Sequence, residues 1–82
     1  MNLLEPEKID VIASFVNGKI SPKILRWRNK KYYIKQINLT YEEKVGKNQV
    51  YCFAVSDSND NVFDLAYYPQ TSQWKIRELQ YS

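Results

Sequence analysis

The 82-residue chain has no histidine, one cysteine and two glycines. Without histidine it lacks the side chain that titrates near neutral pH, the usual general base and the commonest metal ligand. The lone thiol, Cys52, cannot close an intramolecular disulfide, which suggests a reducing compartment. It reads as a buried, inert small hydrophobe, because a cysteine nucleophile would lack its base. Gly18 and Gly46 are too few for a Gly-rich phosphate loop or a serine elbow. No apolar run approaches the roughly 20 residues of a membrane-spanning helix. The start, Met1 to Lys8, has no basic segment leading into an apolar one, so the chain reads as soluble and cytoplasmic. The sequon Asn38-Leu39-Thr40 is then irrelevant. These absences argue against an enzyme, and no catalytic residue, metal ligand or cofactor is assigned.

What is present is 44% hydrophobic and 15% aromatic residues, enough for one small domain spanning 1–82. Helical periodicity is nearly absent. Short β-branched and aromatic runs alternate with polar turn clusters, the pattern of antiparallel β structure. Strand one is expected from Ile9 to Val16, with Ile9, Val11, Ala13 and Phe15 on one side, and Asn17-Gly18 then gives the strongest short hairpin signal. Strand two runs from Lys19 to Trp27, and Pro22 requires an edge or a bulge because it cannot donate to a ladder. After a turn at Arg28-Asn29-Lys30, strand three begins at Lys31. Tyr32 and Ile34 share one parity there, whereas Ile37, Leu39 and Tyr41 share the other, which calls for a bulge near Lys35-Gln36 to keep both sets inside.

Glu42 to Asn48 is the longest polar stretch and is expected to be a mobile loop. Three further strands carry Tyr51, Phe53 and Val55, then Phe63, Leu65 and Tyr67, then Trp74 and Ile76, with turns at Asp57–Asn61 and Pro69–Ser72. Leu79 and Tyr81 switch parity again, implying a second bulge or the strand's end. Asp57 to Asn61 begins like a calcium loop, but Val62 and Tyr68 stand where glycine and glutamate are required, so it reads as a hairpin turn. Trp27 and Trp74 read as core. The expected fold is all-β: an antiparallel meander of about six short strands forming a curled sheet or small partial barrel, with a short helical turn as an option within residues 2–10.

Charge is the sharpest functional signal. Between Lys19 and Lys35 lie seven cations and no acid, and the rest of the chain holds five cations and nine acids, so the net +3 divides into a +7 hairpin and a −4 remainder. Such a stripe suits phosphates, since each one neutralised releases counterions; edge-strand lysines that block aggregation are the bland alternative. With Phe53, Phe63, Leu65 and Ile76 facing inward, opposite parity exposes Arg26, Tyr33, Tyr68, Lys75 and Arg77 around a channel floored by Cys52, Ala54 and Ala66. That layout is compatible with single-stranded nucleic acid. Asp64 in the same row argues against a uniformly attractive surface.

The stretch from Pro22 through Trp27 to Tyr32 and Ile34, followed by Tyr51-Cys52-Phe53, Val62-Phe63-Asp64-Leu65 and Trp74-Lys75-Ile76, resembles a family of small uncharacterised bacterial β domains. Their pattern is a proline, an aromatic before a basic hairpin turn, tyrosine plus an aliphatic, and a closing tryptophan-x-aliphatic strand. Some accompany inactive relatives of Y-family DNA polymerases, so the resemblance implies a DNA-repair context. It departs from the family pattern at Asn29 and Asn61, where glycine is frequent, and at Tyr41, where tryptophan is common. It carries no catalytic residue. The function expected is a non-enzymatic binding module that contacts nucleic acid or another polyanion through Arg26, Arg28, Lys30, Lys31, Tyr33, Lys35, Lys75 and Arg77. The alternative is a protein-interaction or homodimerisation module that docks a host protein or a second copy on its half-apolar face. No membrane partner is expected.

Overall fold

The computed structural model describes the backbone of residues 2–80 and the side chains of residues 5–78. Strands β1 (Asn2–Val16), β2 (Lys19–Trp27), β3 (Lys30–Val45), β4 (Asn48–Asp57), β5 (Val62–Tyr68) and β6 (Gln73–Gln80) follow in order. Each pairs antiparallel with the next, and β1 returns to β6, so the expected meander closes into a barrel. Tight turns make this order accessible. Asn17 and Gly18 are both at positive φ, as a type I′ hairpin requires, and so are Arg28 and Asn29. No helix of the described residues is long and apolar enough to cross a membrane.

Alternation along the strands fills the interior. Leu25, Val55, Leu65 and Ile76 are fully buried, joined by Phe53, Phe63, Trp27 and Trp74. Both tryptophans are core residues, as the sequence suggests. Tyr32 meets Phe63 edge-on at 5.0 Å, and Trp74 packs between Phe53 and Tyr67 at 5.6 and 5.0 Å.

Bulges bend the strands into a barrel. On β3, register slips at Lys35, where a bulge is expected, and again at Asn38. The second slip corrects the inward assignment of Leu39 and Tyr41. Only Ile37 of that trio faces the core, and Leu39 and Tyr41 turn outward opposite Ala54 and Cys52. On β6 the slip falls at Arg77, two residues before the parity change at Leu79; Tyr81 lies outside the described residues. On β2 it falls at Lys23, beside Pro22.

Three other expectations are corrected. Residues 2–10 form strand rather than a helical turn, with an irregularity around Pro6 where β1 meets β6. The polar stretch Glu42 to Asn48 is no loop: β3 runs on to Val45, Gly46 turns the chain at positive φ, and β4 starts at Asn48. Its polarity reflects a hairpin wet on both faces, stitched across the strands by Gln49 donating to Glu42. The third concerns the β2–β3 seam, which pairs only Ile24–Trp27 with Lys30–Tyr33. It ends where the Lys23 and Lys35 bulges turn the strands apart. Beyond it Phe15, inward by parity, is 70% exposed, because β3 no longer closes over it.

Candidate polyanion interface

The eight sequence-selected residues separate into four environments. Arg26, Lys31 and Tyr33 share the outer face of β2 and β3, with Arg26 directly opposite Lys31. Arg26 reaches Asp10 of β1 at 3.2 Å, but both side chains are more than half exposed, so the pair is weak and easily exchanged for another anion. Lys31 has no acidic partner among the described residues.

Arg28 and Lys30 belong to the barrel mouth. Arg28 stacks its guanidinium on Trp27, 4.5 Å from the ring centre, and grips Glu7 through two bonds of 2.7 and 3.2 Å. Trp27 Nε1 donates to the same carboxylate at 3.0 Å. Together the Arg28 and Trp27 donors hold the Glu7 carboxyl below its ordinary range. These contacts steady a non-glycine residue at φ 53°, a conformation that costs an L-residue roughly 1–2 kcal/mol. Lys30 lies over Tyr32 at 5.4 Å.

Lys35 sits on its bulge and bonds Asp60 at 2.7 Å. Arg77, also on a bulge, is only about one-fifth exposed. It donates to Glu43 at 2.9 and 3.3 Å, to Asp64 at 3.2 Å, to the Tyr41 hydroxyl at 3.0 Å and to Cys52 Sγ at 3.4 Å. Hydrogen bonding to Glu43, with Asp64 close by, raises the Arg77 pKa further, and Arg77 in turn lowers that of Glu43. Burial pushes the Tyr41 hydroxyl and the Cys52 thiol up.

This cluster overturns the open channel. Cys52 and Ala66 do lie on the outer face, but they are fully buried with Val50 in a small second core. Tyr41, brought outward by the Asn38 bulge, packs against them with Tyr68. Tyr68 is itself occupied, with Lys75 Nζ 5.1 Å from its ring centre. Of the two tyrosines available to stack by sequence, Tyr33 alone stays open, at 56% exposure.

Barrel closure adds what the sequence did not show. Register places Lys8 of β1 directly opposite Lys75 of β6, a like-charge pair that is unfavourable without an anion between. Strict alternation around Ile9 and Val11 points Lys8 outward, but its partner follows only from the β1–β6 pairing. Near Ile9 and Asp10, β1 leaves β6 for β2. There a groove of about 590 Å³ opens between the Arg28-Asn29 and Ser72-Gln73 turns, with Lys8, Arg26 and Arg28 among its walls and Asp10 as its acid. Lys75 and Lys31 flank it in register. The groove therefore combines Arg26 and Arg28 with Lys8, and it excludes Lys35 and Arg77.

The Asp57–Asn61 segment is the hairpin turn expected. The buried Asp57 carboxylate accepts from the Asn59 and Asn61 amides and from Asn61 Nδ2, at 2.8 to 3.0 Å. Among the described residues no group of three acid or thiol side chains converges on a metal position. Comparison with protein-family models, curated proteins and solved structures returns no match.

Proposed function

We propose that this barrel is a non-enzymatic binding module whose outer face around the β1 crossover contacts a polyanion, nucleic acid foremost. The observation that carries this reading is the pair of in-register cation pairs, Lys8 with Lys75 and Arg26 with Lys31, on either side of the groove. Like charges placed opposite one another across a ladder lower stability, and a bound chain of phosphates relieves both pairs at once. The sequence resemblance to small bacterial β domains, some of which accompany inactive relatives of Y-family DNA polymerases, makes DNA the first polyanion to test.

The test is a titration of labelled DNA oligonucleotides across a salt series. Binding is expected to weaken with salt, with a log–log slope of about −0.7 to −0.9 per phosphate contacted. Lys8→Glu and Lys31→Glu are each expected to weaken it about tenfold. A dissociation constant above about 1 mM at low salt, against the usual non-specific range of about 0.1 mM or tighter, overturns the reading, as does indifference to both reversals.

A further inference from the structure

One outward row beyond Arg26 and Lys31, the same three strands carry a different chemistry. Ile12 of β1 pairs with Ile24 of β2, which pairs with Tyr33 of β3. These three face away from the core, since their neighbours Val11, Leu25 and Tyr32 pack inward. Ile12 is 64% exposed and Tyr33 56%. Between the rows lies a hollow of about 320 Å³ walled by Asp10, Val11, Ile12, Ile24, Arg26 and Lys31, its one acid, Asp10, being the exposed partner of Arg26.

An apolar row parallel to a cationic one selects among polyanions. Rows two residues apart along a strand lie about 7 Å from each other, a separation a nucleotide bridges between its phosphate and its base. A duplex keeps its bases stacked inside and turns charged backbone to a convex sheet face. A sulfated or phosphorylated polymer has no apolar part to offer Ile12 and Ile24. An unpaired strand has both.

We infer that the nucleic acid taken by this face is single-stranded, with bases laid on the Ile12–Ile24–Tyr33 row and phosphates on Arg26 and Lys31. This rests on the polyanion reading and specifies its ligand. Tyr33 supplies the aromatic platform, and Ile24 and Ile12 cover the neighbouring base.

The experiment compares three probes at one salt concentration: an oligo-dT of about 12 nucleotides, within the range one small barrel covers, a duplex of equal length, and heparin. Oligo-dT is expected to bind tightest. Tyr33→Ser is expected to weaken it about tenfold, the scale of one lost stack, and Ile12→Ser about threefold, neither changing heparin binding, whereas Tyr33→Phe retains it. Both serine variants sit at exposed positions, and their melting temperatures check that they fold. If duplex or heparin binds as tightly as oligo-dT and the serine variants change nothing, the inference fails while the polyanion reading stands. If none of the three probes binds, both fail. A salt-insensitive dimer dispersed by Ile12→Ser, seen by sedimentation, overturns the inference in favour of self-association.

Discussion

On the outer face from the far half of β3 through β4 and β5 to β6, Arg77 is bonded to Glu43, Asp64 and Tyr41 and is only about one-fifth exposed. On the outer face of β1, β2 and β3, Arg26 shares one loose bond with Asp10, and Lys31 opposite it has no acidic partner among the described residues. Both arginines stand on the outside of the same barrel, yet one is part of the structure and the other is offered to solvent. The difference lies in what register brings across the ladder. The Asn38 bulge rotates Tyr41 outward and the Arg77 bulge frees a guanidinium to meet it. No such slip gathers acids around Lys31. Cation content is therefore a poor guide to binding surface unless the acids opposite are known.

The comparison is broken most directly by Arg77→Met. It leaves Asp64 and Glu43 facing each other over a buried thiol, and it is expected to cost about 2 kcal/mol, short of the 3–5 of a fully buried pair. That corresponds to a fall in melting temperature of roughly 10 °C, with oligonucleotide binding by the folded fraction unchanged. Lys31→Glu is expected to do the reverse, leaving the melting temperature within a few degrees while affinity drops about tenfold. A loss of affinity in Arg77→Met measured well below its melting point erases the distinction between the faces.

Asp10→Asn sharpens it. Removing the acid beside Arg26 is expected to raise oligonucleotide affinity about threefold, since an exposed pair of this kind is worth under about 1 kcal/mol; fluorescence anisotropy at low salt resolves this. The smallest effect is on acid stability. Glu43 and Glu7 have folded pKa values below their ordinary 4.5. Their contribution is thus present above the unfolded value and lost as pH falls through the lower folded ones. Glu43→Gln is expected to lower the melting temperature by about 2–4 °C at pH 7, a loss near 0.5 kcal/mol, and to flatten its decline below pH 4.5. An unaltered acid limb would falsify the assignment of that ion pair to stability.

Much of the fold was legible because its signals are local. Asn17-Gly18 fixed one hairpin, parity fixed the inner faces of β4, β5 and the first half of β6, and the parity break between Ile34 and Ile37 located the Lys35 bulge. The Asn38 bulge was hidden because Leu39 and Tyr41 are apolar enough to read as core, although they cover the outside. Closure of β1 on β6 was equally hidden, since Lys8 and Lys75 are neighbours only through it. Of the candidate interface, Arg26, Lys31 and Tyr33 could be read from strand alternation. The capture of Arg77 could not, because Glu43 lies 34 residues away and reaches it only across the folded face.

The β2–β3 seam is four residue pairs long, as few as β1 and β6 share, against ten pairs joining β3 to β4. Amides that depend on so short a ladder are released by small fluctuations. Hydrogen exchange should therefore reach them before the centre of β4 and β5. The rows that face solvent as Arg26–Lys31 and Ile24–Tyr33 straddle this joint, so a ligand lying across it would act as a clasp. The slowing of exchange at Ile24–Trp27 is then a measure of occupancy that needs no label on the ligand.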